Sequence, residues 1–349
     1  MTIAAHPLVA RARELADGLL SPAAERVDQE GVPPGHIEAV KRSGLLGVSA
    51  PVAYGGSAAP AAVVRETAEI LAGACCSTWF VQTQHQTPVL TLAGTALPVR
   101  ERLLGPLARG ELLSGVAYAH LRSYPRIPVR VRRAADGWRF SGTVPWYTGW
   151  GLNDVLLLAG VTEDDEALFA FVEAREQPGL RPSEPMRLAA LTASRTVSLD
   201  LDGLRVPEEA VALRMPYARW AAADRPKPRN ANPAVFGITA AALALVAEEY
   251  AAPLRAGLDE VRRRAYELAD RPDPEAHAEE RLAVRAEAFT LLRTATTAAV
   301  VTGGGRAMSL DHRAQRLARE GLFLLVQGQT SESRTAHLKR LAKHGGSGR

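Results

Sequence analysis

Cysteine is nearly absent from this chain: 349 residues hold two, Cys75 and Cys76, and they are neighbours. An adjacent pair supplies neither a disulfide framework nor a metal site of ordinary ligand spacing, and it suits a reducing compartment. Long apolar runs are missing too. The longest, near Ile238 to Ala247, falls well short of the roughly 20 residues a membrane helix needs. No basic-then-apolar leader opens the sequence, so a cytoplasmic protein that does not enter a membrane is expected. Aromatic residues make up only 5%, and neither sign of charge dominates at a net +4. The basic residues are mostly interleaved with acids, as where Arg262, Arg263 and Arg264 stand between Glu260 and Glu267. That is the pattern of a solvated helix face. One denser basic stretch, Arg122, Arg126, Arg130, Arg132 and Arg133, has only Tyr124 as an aromatic neighbour. Nucleic acid binding calls for more stacking partners, so the stretch reads as an exposed strand or a docking strip for a phosphorylated carrier.

What is present is 47% apolar residues, ample for a large core, arranged in three blocks. Residues 1–111 carry helical periodicity: Leu8, Leu15 and Leu19 line one face, Pro33-Pro34 opens a helix that stops at Ser43-Gly44, and further helices follow from Ala58 to Gly73 and after Ser77. Residues 112–215 change period to short strands, at 129–133, 138–143, 155–161, 167–172 and 197–201. A Pro- and Asn-rich linker from Asp224 to Pro233 then leads into helices near 234–270, 278–302, 310–327 and 331–343, an antiparallel four-helix bundle spanning 233–345. The closing Gly-Gly-Ser-Gly reads as a frayed tail. The predicted class is α+β: helical domain, β-barrel-like middle domain, C-terminal bundle. Segments 238–247 and 287–301 are apolar on more than one face, which predicts a greasy patch and assembly into a homodimer or homotetramer.

The most informative stretch is Trp146-Tyr147-Thr148-Gly149. Trp138 to Trp146 alternates through a strand, a Gly turn and a strand, and a hydroxyl two residues beyond the indole falls on the same side of the pleat. Such a pair suits the face and edge of a flat ring, as it would also suit an ordinary core tryptophan. Its setting adds Ser43-Gly44-Leu45-Leu46-Gly47 through Tyr54-Gly55-Gly56, Thr192-Ala193-Ser194-Arg195-Thr196 with Asp202 to Pro207, Gly303-Gly304-Gly305-Arg306, and Arg316 to Glu320. In this order and spacing, these segments resemble the acyl-CoA dehydrogenase superfamily over nearly the whole chain.

The resemblance implies a flavin, FAD or alternatively FMN, between the β domain and the C-terminal bundle, its adenosine reaching a neighbouring subunit. Trp146 would lie against the ring and Thr148 near its reactive nitrogen. Tyr118 and His120 would stand at the pyrimidine end, although Leu121 to Pro125 replaces the usual Thr-Glu-Pro and Gly-Ser-Asp continuation. Gly303, Gly304 and Arg306 would approach the pyrophosphate, unless the glycines simply cap a helix. Two departures stand out. Gly328 occupies the position of the family's catalytic glutamate, and Pro253 to Leu258 replaces its Arg-x-x-Phe-Gly segment. A dehydrogenase needs a proton acceptor over the substrate, so the candidates become His85, flanked by polar residues in an otherwise apolar helix, and His120. Three functions are open: a flavin-dependent dehydrogenase or oxidase with a relocated base in a specialised pathway, a flavin-dependent monooxygenase of the same fold, and a non-redox or partner subunit. A small-molecule or carrier-bound acyl substrate is expected for the first two.

Overall fold

The computed structural model describes residues 2–273 and 275–345, so Gly346, Ser347 and Gly348 of the expected tail lie outside the described residues. The first block is helical. Helix α1 (Pro7–Leu15) has proline at its first position, where a missing N–H costs nothing, and the His6 ring accepts the Leu8 N–H at 3.2 Å. A wider turn at Ala16–Leu20 joins it to α2 (Ser21–Glu30), which Gly31 ends at φ +104°. Helices α3 (Pro34–Arg42), α4 (Ala61–Ala74), α5 (Cys76–Thr83), α6 (Gln86–Ala93) and α7 (Val99–Ala108) complete the block. Cys75 and Cys76 are buried as small apolar residues.

Strands β1 (Ser114–Ala117), β2 (Val129–Ala134), β3 (Gly137–Tyr147), β4 (Val155–Thr162), β5 (Glu166–Glu173), β6 (Leu180–Pro182), β7 (Val197–Val206) and β8 (Val211–Pro216) form one sheet. Its order is β6-β7-β3-β2-β4-β5-β8, with β1 added in parallel beside β4. Side chains alternate across β4, so Leu156 and Leu158 join the core of the sheet's inner face while Leu157 and Ala159 pack with Leu104 and Leu107 of α7. Both faces are covered, which is why β4 reads as a continuous apolar run. Strands β6 and β8 escaped sequence reading. Of the dense arginines, Arg122 makes two bonds to buried Asp224 at 2.6 and 3.1 Å, Arg132 pairs with Glu163 and Arg133 with Glu208.

After α8 (Tyr217–Asp224) the last block holds α9 (Pro233–Leu243), α10 (Glu248–Ala269), α11 (Ala278–Gly303), α12 (Arg313–Val326) and α13 (Ser331–Gly345). The single helix expected over 234–270 is thus two. The break at residues 244–247 contains neither Gly nor Pro, and Pro253 sits inside α10 instead. Packing separates the pair: α9 is enclosed by α4, α10, α11 and α12, whereas α10 keeps a polar face on which Arg263 pairs with Glu260 and Glu267. Enclosure also corrects the origin of the greasy patch. Apolar residues all round α9 are mostly buried within the chain; among the described residues of α11, α12 and α13 the exposed large apolar side chains are Val301, Leu322, Val326, Leu338 and Leu341.

Two tertiary joints fix the helical blocks together. At the first, a Cβ on Gly237 of α9 would fall 2.0 Å from the Glu69 carbonyl oxygen of α4, and one on Gly73 would fall 2.7 Å from the Gly237 carbonyl oxygen. The backbones touch, which only glycine permits. Arg262 of α10 braces the same crossing through Glu66 at 2.6 Å and Glu69 at 2.8 Å. The second joint is a buried ion pair within α12: Arg316 donates to Glu320 at 2.8 and 2.9 Å, and its Nε reaches Glu25 of α2 at 3.1 Å.

Candidate functional site

The β3–β7 ladder pairs Val144 with Leu199 and then Tyr147 with Val197, so β3 carries one extra residue at Pro145-Trp146. Proline has no N–H to give the ladder, and the strand bulges there. The bulge turns both residues outward: Trp146 is 56% exposed, while Tyr147 on the next position is buried. A large indole thus stands exposed at the bulge.

Beyond it the chain turns inward. Thr148 is nearly buried, and its hydroxyl lies 3.1 Å from that of Thr196, which lies 3.2 Å from that of Ser194. The Ser194 hydroxyl donates to the Leu191 carbonyl at 2.7 Å. Leu191 and Arg195 hold left-handed backbone, φ +59° and +50°, and the Gly149 N–H donates to the Ser194 carbonyl, which fixes this turn against Thr148. Asn153 donates to the Tyr147 hydroxyl and to the Thr148 carbonyl, both at 2.9 Å, and its own carbonyl oxygen is buried without a partner. Sequence reading missed Ser194, Thr196 and Asn153 as members of this group. The only available signal was the clustering of hydroxyls in Thr192 to Thr196.

The candidate proton acceptors are placed differently. His85 has no exposure; its Nδ1 accepts the Ser114 N–H at 3.0 Å. With that nitrogen an acceptor, Nε2 carries the proton and donates to the Leu107 carbonyl at 3.2 Å. Burial holds the imidazole neutral, its pKa lowered to about 4. Both nitrogens serve backbone groups of α7 and β1, so the ring presents neither to a substrate. His120 stands in the 3-10 turn Ala119–Ser123 that follows β1 and packs beside β3. Its Nε2 donates to the Ala159 carbonyl at 3.0 Å, and its buried Nδ1 has no partner among the described residues. Its pKa is likewise lowered to about 4 by burial. Tyr118 opens the same turn with its ring packed on Phe169 and Trp220. The turn that carries His120 and follows Tyr118 packs on β3, the strand that ends at Tyr147 between Trp146 and Thr148.

It does not bring the glycines to them within one chain. Gly304, at φ +56°, caps α11 with its N–H on the Val301 carbonyl, and the turn it opens, Gly304–Met308, packs on α11 and α12. A Cβ on Gly304 or Gly305 would meet nothing within 4 Å, and Arg306 is exposed without a partner among the described residues. Gly303 is closed by Ala307 and the His312 ring. Between α12 and α13, Gly328 takes φ +63° and residues 326–331 contain no carboxylate. The next acid, Glu332, is locked to Arg229 at 2.8 and 3.1 Å.

Chemically, this arrangement offers an exposed indole, a buried chain of hydroxyls that begins two residues on at Thr148, and no carboxylate in the 326–331 loop. Residues 4–111 match the acyl-CoA dehydrogenase N-terminal domain family. A curated relative, 3-sulfinopropanoyl-CoA desulfinase of Variovorax paradoxus, is 27% identical over 188 residues, 50% of this chain and 46% of that protein. The match thus spans about half the length of that relative. Among solved structures, butyryl-CoA dehydrogenase from Megasphaera elsdenii superposes with a TM-score of 0.81 at 17% identity, covering 96% of this chain and 97% of that one. Dibenzothiophene monooxygenase from Paenibacillus sp. A11-2 gives 0.78 at 18%, covering 97% and 98%. A glutaryl-CoA dehydrogenase from Mycobacterium smegmatis in complex with FADH2 gives 0.74 at 20%, covering 97% and 93%. Residues 4–111 thus match the acyl-CoA dehydrogenase N-terminal domain, and the chain as a whole has the fold of these acyl-CoA dehydrogenase structures.

Proposed function

We propose that the chain is an FAD-dependent oxidoreductase of the oxygen-using, monooxygenase type, acting on a small-molecule or carrier-bound acyl substrate in a specialised cytoplasmic pathway. The observation that carries it is an outward indole, Trp146, followed two residues on by the hydrogen-bonded hydroxyl of Thr148, in a chain whose fold is shared with a flavin-bound structure. The residues suit the cofactor: Trp146 offers a stacking face, the unpartnered His120 Nδ1 a polar contact at the pyrimidine end, and Gly305 with Arg306 an approach for phosphate. Bound there, the flavin supplies two-electron redox chemistry and reaction with oxygen. The protein's part is to hold the ring against Trp146, set the hydrogen bond at its edge and keep water from the buried hydroxyls.

Oxygen use is preferred to dehydrogenation because α-proton removal needs a free base, and all candidates for one but His120 are absent or engaged. Residues 326–331 hold no acid, Glu332 is paired with Arg229, and His85 is committed on both nitrogens. The second reading, a dehydrogenase or oxidase with a relocated base, rests on the free Nδ1 of His120. Gly304–Met308 lies away from the sheet of its own chain, which favours a site completed by a second copy, and the exposed Val301, Leu322, Val326 and Leu338 give a homodimer or homotetramer its contact.

Mass spectrometry of the purified protein identifies the cofactor, and rapid oxygen consumption after chemical reduction is the expected result. Bleaching by acyl thioesters without oxygen would favour the second reading. A colourless protein that takes up no added FAD would leave a non-redox subunit.

A further inference from the structure

The three hydroxyls behind Trp146 form a chain whose polarity can be worked out. A carbonyl oxygen only accepts, so at 2.7 Å the Leu191 carbonyl takes the single proton of Ser194. Ser194 Oγ must then accept from Thr196 across 3.2 Å, which uses the one Thr196 proton. Thr196 Oγ1 in turn accepts from Thr148 across 3.1 Å. Thr148 has spent its proton inward. What it has left for a group outside the chain is a lone pair, with no proton behind it. Ser194 and Thr196 are almost wholly buried, so water does not compete for these bonds.

We infer that Ser194 and Thr196 are positioning residues that make Thr148 an obligate acceptor, so the site selects a ligand that presents an N–H to it. This rests on the flavin reading. Oxidised flavin has a bare N5, which wants a donor; reduced flavin carries a proton there and wants an acceptor. The polarised chain therefore favours the reduced ring and raises its reduction potential. Such a preference is what an enzyme that must hold reduced flavin until oxygen arrives requires.

The test is the reduction potential of the full-length protein loaded with FAD, measured by anaerobic equilibration with a dye of known potential. Ser194→Ala leaves the Thr196 proton free to turn to Thr148, and Thr196→Val removes the Thr148 acceptor outright. Either releases the Thr148 proton toward the ring. Both variants are expected to lower the preference for reduced over oxidised FAD by roughly tenfold, a fall of about 30 mV for a two-electron couple. Thr196→Ser, which keeps the hydroxyl, is expected to retain the wild-type potential. Yellow variants with an unchanged or raised potential would overturn the inference while leaving the flavin site standing. Wild-type protein that takes up no FAD would overturn the flavin reading, and this inference with it.

Discussion

His85 and Ser114 are joined by a buried bond in which the strand's first N–H points into Nδ1 of the ring at 3.0 Å, while the opposite nitrogen holds Leu107. One imidazole thereby clamps the end of α7 to the start of β1. Replacing it by alanine strands a donor and an acceptor and opens a cavity, so His85→Ala is expected to destabilise the fold by about 2–5 kcal/mol. A fall in the urea midpoint checks this. An unchanged midpoint would return His85 to contention as a base.

Acid sensitivity follows from the same ring and from His120. Each pKa is lowered by burial from an ordinary 6.5 to about 4, so below pH 6.5 the unfolded chain binds protons that the folded chain refuses. Stability is complete above pH 6.5 and declines as pH falls toward 4. The loss approaches roughly 3 kcal/mol per histidine. Denaturation midpoints at pH 7.5, 5.5 and 4.5 should decrease in that order, and His85→Phe should flatten the slope.

Trp146 is exposed, so Trp146→Ala should leave the thermal midpoint nearly unchanged. It removes a stacking face worth on the order of 1–3 kcal/mol, which corresponds to roughly 5- to 150-fold weaker retention of FAD. Fluorescence titration of the apoprotein measures it. FAD affinity equal to wild type would mean that the ring does not lie on this indole.

Glu320 and Arg316 are each only 1% exposed in side-chain terms and depend on one another. Glu320→Ala leaves a buried guanidinium with only Glu25 nearby, and a loss of about 3–5 kcal/mol in chemical denaturation is expected. The joint replacement Arg316→Met with Glu320→Leu should cost far less, because it removes the charge as well as its partner.

Much of this was legible in the residues. The change from helical to alternating period marked the sheet, and the order of weak motifs around Trp146 pointed to the fold. Where reading failed, the cause lay in partners distant along the chain. Polar neighbours made His85 look like chemistry, yet its ring is used by backbone groups 22 and 29 residues on, invisible to any local pattern. The hydroxyls of Ser194 and Thr196 looked like turn residues until the bulge at Pro145 brought Thr148 to them. The break between α9 and α10 carried no Gly or Pro, because enclosure of α9 selects it.

The glycine crossing of α4 and α9 also sets an order of folding. Gly73 and Gly237 belong to opposite ends of the chain, with the whole sheet between them. During synthesis the helices α1–α7 leave the ribosome long before α9 exists, and the groove that α9 will fill stays open. The sheet between can close on its own, because its strands all lie within residues 114–216, whereas the helical core must wait for a contact of still higher sequence separation. A nascent chain halted after residue 220 should therefore carry a finished sheet beside an unsealed apolar surface, the state in which it most needs a chaperone.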